Sequence, residues 1–252
     1  MPEAVANEAS PPASSSPHLG LLSRLLGVIT SPRATYADVA ARPRVLGALL
    51  VTALVGAGSQ FWFLSTESGK KATLDAIEAQ IQFAESFGAN VDDATYKAMT
   101  DSVDSSRYSS AGAILAFSPV SLVVLAAIFM GVFNAMLGGN ATFKQMCAVL
   151  AHAGVIWTLP LVFSSVVGFF TGRIGDASKL SVFAPMLESG FLAHLLGYLD
   201  LFWFWGLVST AIGLAVLYRR RTGPIATTLL LIYVIIGVLY AAVRTMLAGS
   251  GA

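Results

Sequence analysis

Charge is scarce in this chain. Of its 252 residues, 12% are Asp, Glu, Lys or Arg, while 56% are hydrophobic. A soluble domain carries about 25% charged residues. That deficit excludes a single soluble core and leaves a multi-span membrane protein. The formal net charge is +1, so no basic field exists to attract nucleic acid, and no nucleic-acid partner is expected. Cysteine is nearly missing as well. Cys147 stands alone, which rules out an intramolecular disulfide. Within an apolar segment it reads as a small packed hydrophobe.

Enzyme signatures are also lacking. The chain has no G-x-S-x-G, H-E-x-x-H, Walker loop or G-x-G-x-x-G. "GAGSQ" at Gly56–Gln60 has the wrong spacing, and "TGRIGD" has no phosphate-loop lysine. Neither His152 nor His194 has a second ligand three or four residues away, so no metal and no cofactor is expected. The combination of His152 with Ser164 or Ser165 is supported by residue type alone. The expectation is a protein that is not an enzyme.

What the chain does have is long apolar runs. Five stretches can span a hydrocarbon core, which takes about 20 helical residues. They lie near 46–65, 111–137, 144–171, 196–218 and 225–247. The expected fold is therefore an all-α membrane protein, a bundle of five transmembrane helices, over 46–247. Pro119 and Pro160 fall in the two longest spans, where tilt or a kink absorbs the excess length. Residues 1–18 are rich in Pro, Ser and Ala and read as a disordered tail. Glu3 and Glu8 stand where a signal peptide would carry basic residues.

The connections differ in character. Residues 66–110 hold eight acids and four bases, an acidic loop. Within it Leu74, Ile77, Ile81 and Ala84 recur at helical spacing, and Asp92 or Asp93 marks the start of a second helix. "GGNATFK" joins spans two and three, and "RRRTGP" joins spans four and five. Basic residues in short loops favour the cytoplasm. Placing Arg219, Arg220 and Arg221 there also places Lys144 and the N-terminal arginines there. The acidic loop then faces outward, the N-terminus is cytoplasmic and the C-terminus lies outside an inner (plasma) membrane.

Residues 19–45 form the lead-in. Ser31 is a good N-cap and Pro32 fits the first helical position, so a helix runs through "RATYADVA" and stops before Pro43. Ahead of it Leu19, Leu22, Leu25, Leu26 and Ile29 share one stripe, with Arg24 near its edge. Two short amphipathic interfacial helices, joined at "TSPR", are expected on the cytoplasmic face. The stripe either lies at the lipid boundary with Arg24 snorkelling, or packs against the spans as core.

"LLGVITSPRATYADVAARPRVLGALL" resembles the segment that leads into the first span of bacterial Yip1-domain proteins. "GGNATFKQMCAVLAHAGVIWTLPLV" and "YLDLFWFWGLVSTAIGLAVLYRRR" resemble two later segments of the same family, in the same order. The resemblance covers roughly residues 20–247. It implies a five-span helical domain with a cytoplasmic N-terminus. Eukaryotic members act in ER–Golgi traffic and bind Rab-type GTPases, but they carry a D-L-Y-G-P-type element that this chain lacks. That role is therefore not implied here.

Three polar residues within spans are candidates for function: Asp200, Asn134 and His152. An ionisable group inside a span costs about 2.5–3.5 kcal/mol on insertion scales. Asp200, beside Tyr198, Trp203 and Trp205, either sits at the headgroup level or caps a helix, or else serves a polar pathway. A pair with Arg244 is also considered. Asn134 and His152 bond between helices or line the same pathway. Arg24, Arg33, Arg219, Arg220 and Arg221 are candidates for contact with the membrane surface or a partner. Ala53 with Ala57, Gly131 with Ala135 and Ser209 with Gly213 permit close helix approach, within the chain first and in self-association second. Membrane lipids and protein partners are the expected ligands of a scaffold or adaptor. The alternative is a permease-like or lipid-moving protein with a polar pathway around spans two to four. The two differ in whether Asp200, Asn134 and His152 converge on one cavity.

Overall fold

The computed structural model describes residues 19–85, 88–136, 138–173, 177–187 and 189–249. The tail expected over 1–18 lies outside the described residues. Among the described residues there is no strand, only an isolated bridge between Lys179 and Asp200. The protein is an all-α membrane bundle.

Two short helices come first, α1 (Leu21–Thr30) and α2 (Pro32–Ala41). Pro32 opens α2 as expected, but the Ser31 side chain makes no cap bond. Instead the Ser31 carbonyl accepts from the amide and the hydroxyl of Thr35, at 3.1 and 3.0 Å. The pair runs down the flank of the bundle and back. Leu21 lies against Gly47, at the start of α3 (Leu46–Leu64). Leu25 and Ile29 share an apolar crevice with Val51, Val55 and Leu159. On the return, Tyr36 reaches Ser209 at 2.8 Å, and Gln145 Nε2 donates to the Ala40 carbonyl at 3.0 Å.

The leucine stripe is divided by this docking. Leu22 and Leu26 face outward and Ile29 lies at the rim, while Leu25 and Val28 face the core. Arg24 is turned inward and only 3% exposed. The expectation that Arg24 contacts the membrane surface is thereby corrected. A cation with a partner carboxylate inside the bundle has less reason to seek the headgroups.

After α3 the chain forms α4 (Glu67–Glu85) and α5 (Asp93–Asp101) in the acidic loop. Asp92 caps α5 by accepting from the Thr95 amide at 2.8 Å, and hydrogen bonds from Thr95 hold its carboxyl below the ordinary range. Lys70 bridges to Asp104 at 3.0 Å, which raises the lysine's pKa. Next comes α6 (Ser106–Met130), which continues as a π-helix over Gly131–Met136, then α7 (Phe143–Thr171). Both prolines lie inside continuous helices. α7 is the axis of the fold, in contact with α1, α2, α3, α4, α6 and the later α9. Its inner face carries Met146, Ala148, Val149, Ala153 and Ile156, all buried. Thr142 and Gln145 form a capping box at its start, and Gly172 ends it at φ 66°.

The fourth apolar stretch is not one helix. α8 (Phe191–Tyr198) stops, and α9 (Leu201–Leu217) begins after a break at Leu199 and Asp200. α10 (Thr222–Gly249) completes the bundle against α8 and α9. Among the described residues, four helical segments are long and apolar enough to cross a membrane: Leu46–Leu64, Asp93–Ala135, Phe143–Thr171 and Thr222–Leu247. α9 is equally apolar but has 17 residues, which gives a rise of about 25 Å at 1.5 Å per residue. Small residues set the close contacts. Ala53 and Ala57 are buried on α3. Ser209 and Gly213 make room for Tyr36, and a Cβ at Gly213 would stand 2.6 Å from Val149 and 3.1 Å from the Tyr36 ring.

Candidate functional site

The three candidate residues of the spans, His152, Asp200 and Asn134, lie in three separate centres. The first lies beneath α1 and α2. Arg24 Nε donates to Asp38 at 2.8 Å, and its other nitrogens reach Asp38 at 2.7 Å and the Arg42 carbonyl at 3.2 Å. Arg42 approaches the same carboxylate at 3.4 Å. His152 is fully buried nearby on α7, with Nδ1 bonded to the Ala148 carbonyl at 2.7 Å. Its Nε2 has no hydrogen-bond partner among the described residues.

The second centre is Asp200. Its Oδ1 accepts from the amides of Phe202 at 2.8 Å and Trp203 at 3.2 Å, which caps α9. Its other oxygen accepts from the Ser178 hydroxyl. The Asp200 amide donates to the Tyr233 hydroxyl at 3.0 Å, and that hydroxyl donates to the Tyr198 carbonyl at 3.1 Å. The carboxylate is thus engaged in starting its own helix. Asp200 does not pair with Arg244. Arg244 lies over the Phe83 ring at 4.3 Å instead. A cavity of about 300 Å³ beside Asp200 is walled by Tyr198, Trp203, Tyr233 and Tyr240.

The third centre is at the far end of α9. Asn134, within the π-helix, donates to the Ala141 carbonyl at 2.9 Å and accepts from the Tyr218 hydroxyl at 2.8 Å. Tyr218 stacks on Phe133 with centroids 4.9 Å apart. The Gly138–Gly139 turn passes under that ring, where a Cβ on Gly139 would lie 2.4 Å from Tyr218. Arg219, Arg220 and Arg221 follow, all exposed. Arg219 adopts φ 52°, and Arg220 N donates to Ala215 O at 2.9 Å to close α9. Glycine is the usual residue in that left-handed position, because a Cβ is strained there. Arg33 is exposed too, but it sits at the elbow between α1 and α2, about 10 Å along α2 from Ala40.

Asp200 and Tyr218 bracket α9, so the second and third centres lie roughly 25 Å apart along the helix. His152 lines neither of their cavities. Ser165 bonds to Gln60 at 3.2 Å and to the Leu161 carbonyl at 2.8 Å, and lies about 20 Å along α7 from His152. Among the described residues no group of three or more His, Cys, Asp or Glu gathers. Residue type picked out Asp200, Asn134 and His152. It missed Tyr36, Ser178, Tyr218 and Tyr233, whose partners are distant in sequence. The one local signal was the double glycine ahead of α7.

Comparison with known proteins points one way. A family model described as the Yip1 domain matches residues 26–244. A protein of Bacillus subtilis (strain 168) named "Membrane protein YknW" is 27% identical over 203 residues, covering 80% of this chain and 79% of that one. No solved structure matches the chain significantly.

Proposed function

The chain belongs to the Yip1-domain family, and from that premise we propose that it is a non-enzymatic scaffold or adaptor of a bacterial inner membrane. It binds protein or lipid partners through its cytoplasmic end and its outward-facing N-terminal helix. The observation that supports this best is the dispersal of the polar residues. Asp200 is occupied in capping α9, and Asn134 in tying Tyr218 to Ala141. His152 is enclosed beneath α1 and α2, away from both cavities. A pathway needs such groups along one wetted route. A scaffold needs them only to fix helices.

Two surfaces at this end suit partners. Leu22 and Leu26 are 73% and 65% exposed on α1 and suit an apolar neighbour in the membrane. Arg219–Arg221 and Lys144 suit anionic groups at its surface. By the charge rule this end is cytoplasmic. The test is photocrosslinking in cells from Leu22, Arg221 and, at the opposite end of α7, Phe170. Discrete protein adducts are expected from Leu22 and Arg221 and not from Phe170. No adduct from Leu22 or Arg221, in intact protein, would contradict the role.

A further inference from the structure

The basic end of the bundle holds a built cavity of about 480 Å³. Arg219 and Arg220 line it, together with Asn140 and Gln145, and no carboxylate is among the described residues that line it. Its floor is held in place. Tyr218 is fixed by the stack on Phe133 and by the bond to Asn134, and the glycine turn is tight beneath it. Phe133 is also the wall of a second, apolar groove of about 350 Å³. That groove lies between α6 and α10 and is lined by Ile128, Val132, Ile225, Leu229 and Ile232. Ile128, Val132 and Ile232 are exposed, so the groove opens to the side, where lipid lies. Polar cavity and apolar groove thus meet at one aromatic ring, at a helix end.

We propose that cavity and groove together hold one anionic phospholipid. Its phosphate lies against Arg219 and Arg220, and an acyl chain follows the groove between α6 and α10. The guanidinium fork matches phosphate oxygens in a bidentate manner. With no carboxylate among the described lining residues, the cavity favours an anion over a zwitterion's amine. The groove asks for a chain that free phosphate does not have. Two local departures from regular backbone shape this place. The π-helix sets Phe133 and Asn134, and π segments are frequent at functional sites. Arg219 is held in the left-handed region at φ 52°. The assignment rests on the lipid-contact part of the proposed role and needs no protein partner.

The test uses the full chain in vesicles of phosphatidylcholine with phosphatidylglycerol, measuring which lipid stays bound on extraction by native mass spectrometry. Phosphatidylglycerol is expected to be retained over phosphatidylcholine. Arg219→Gln with Arg220→Gln should weaken that preference roughly 30-fold. Ile225→Trp, which fills the groove and leaves the charge alone, should reduce retention several-fold. Thr228→Leu serves the same purpose if Ile225→Trp does not fold. Retention insensitive to filling the groove would mean general surface attraction and overturn the assignment. Displacement by inorganic phosphate at equal concentration would also overturn it, in favour of a free-anion pocket. Crosslinks from Leu22 are read separately, so loss of lipid selectivity leaves the adaptor role standing, and loss of adducts leaves the lipid site standing.

Discussion

Asp38→Ala is expected to destabilise the folded bundle by about 3–5 kcal/mol, the range for removing one partner of a buried ion pair. The carboxylate is the chief anchor of Arg24, whose side chain is 4% exposed. Arg42 is no substitute, since it is another cation and stands 3.4 Å from the same group. Removing Asp38 leaves a guanidinium enclosed near His152 with only the Arg42 carbonyl to satisfy it. The cheapest relief is to release α1 and α2 from the flank of the bundle. Reversible unfolding in bicelles reads the loss, and proteolysis near Ser31 reads the release. The double replacement Arg24→Met with Asp38→Leu should recover most of the stability, because apolar groups of similar volume often match or exceed a buried ion pair. A single variant as stable as the parent would show that the pair is not needed for docking.

Tyr36→Ala is expected to have an effect of the same order. Tyr36 is fully buried and is among the largest enclosed side chains, packed with Val39, Val149 and Ile156. Truncating a core aromatic costs about 3–5 kcal/mol where the cavity cannot collapse. Collapse is hindered here, since the spacing of α7 and α9 is fixed by other contacts, including the bond from Trp157 Nε1 to Thr210 Oγ1 at 3.3 Å. Tyr36→Phe keeps the ring and loses only the bond to Ser209. That should cost about 0.6 kcal/mol, the average for bonds between membrane helices. Unfolding of the two variants, compared directly, separates packing from hydrogen bonding. Equal losses would show that the hydroxyl, not the ring, carries the contact.

Both results concern the part of the fold that the sequence described least directly. The apolar runs were legible because length alone separates a span from a core helix. The helices of the acidic loop were legible from 3-4 spacing and from the Asp92 cap. The N-terminal stripe was visible too, but not which way it faces. In water a leucine stripe points inward and an arginine outward. Here the stripe is divided, with Leu22 and Leu26 outside and Leu25 inside, and the arginine is inverted, with Arg24 inside beside Asp38. That inversion depends on a carboxylate 14 residues away.

The break at Asp200 was hidden for a related reason. "YLDLFWFW" is apolar on both sides of the aspartate, so hydropathy runs straight through it. The chain breaks because Asp200 takes extended backbone geometry and gives its oxygen to the next amides. Ser178 and Tyr233, 22 and 33 residues away, complete the arrangement. Asn134 is similar, since Tyr218 lies 84 residues from it. Residue type finds such polar groups, but only the fold tells whether they share a space.

Whether they share one decides between a scaffold and a pathway, and a flux assay asks this most directly. The purified chain is placed in liposomes and tested for phospholipid scrambling, protons and small ions, with Asp200→Asn alongside. With Asp200 serving as a helix cap, flux should match that of empty liposomes for both proteins. Flux above that level from the folded parent chain, lost in Asp200→Asn, would contradict the scaffold and make Asp200 part of a route through the membrane.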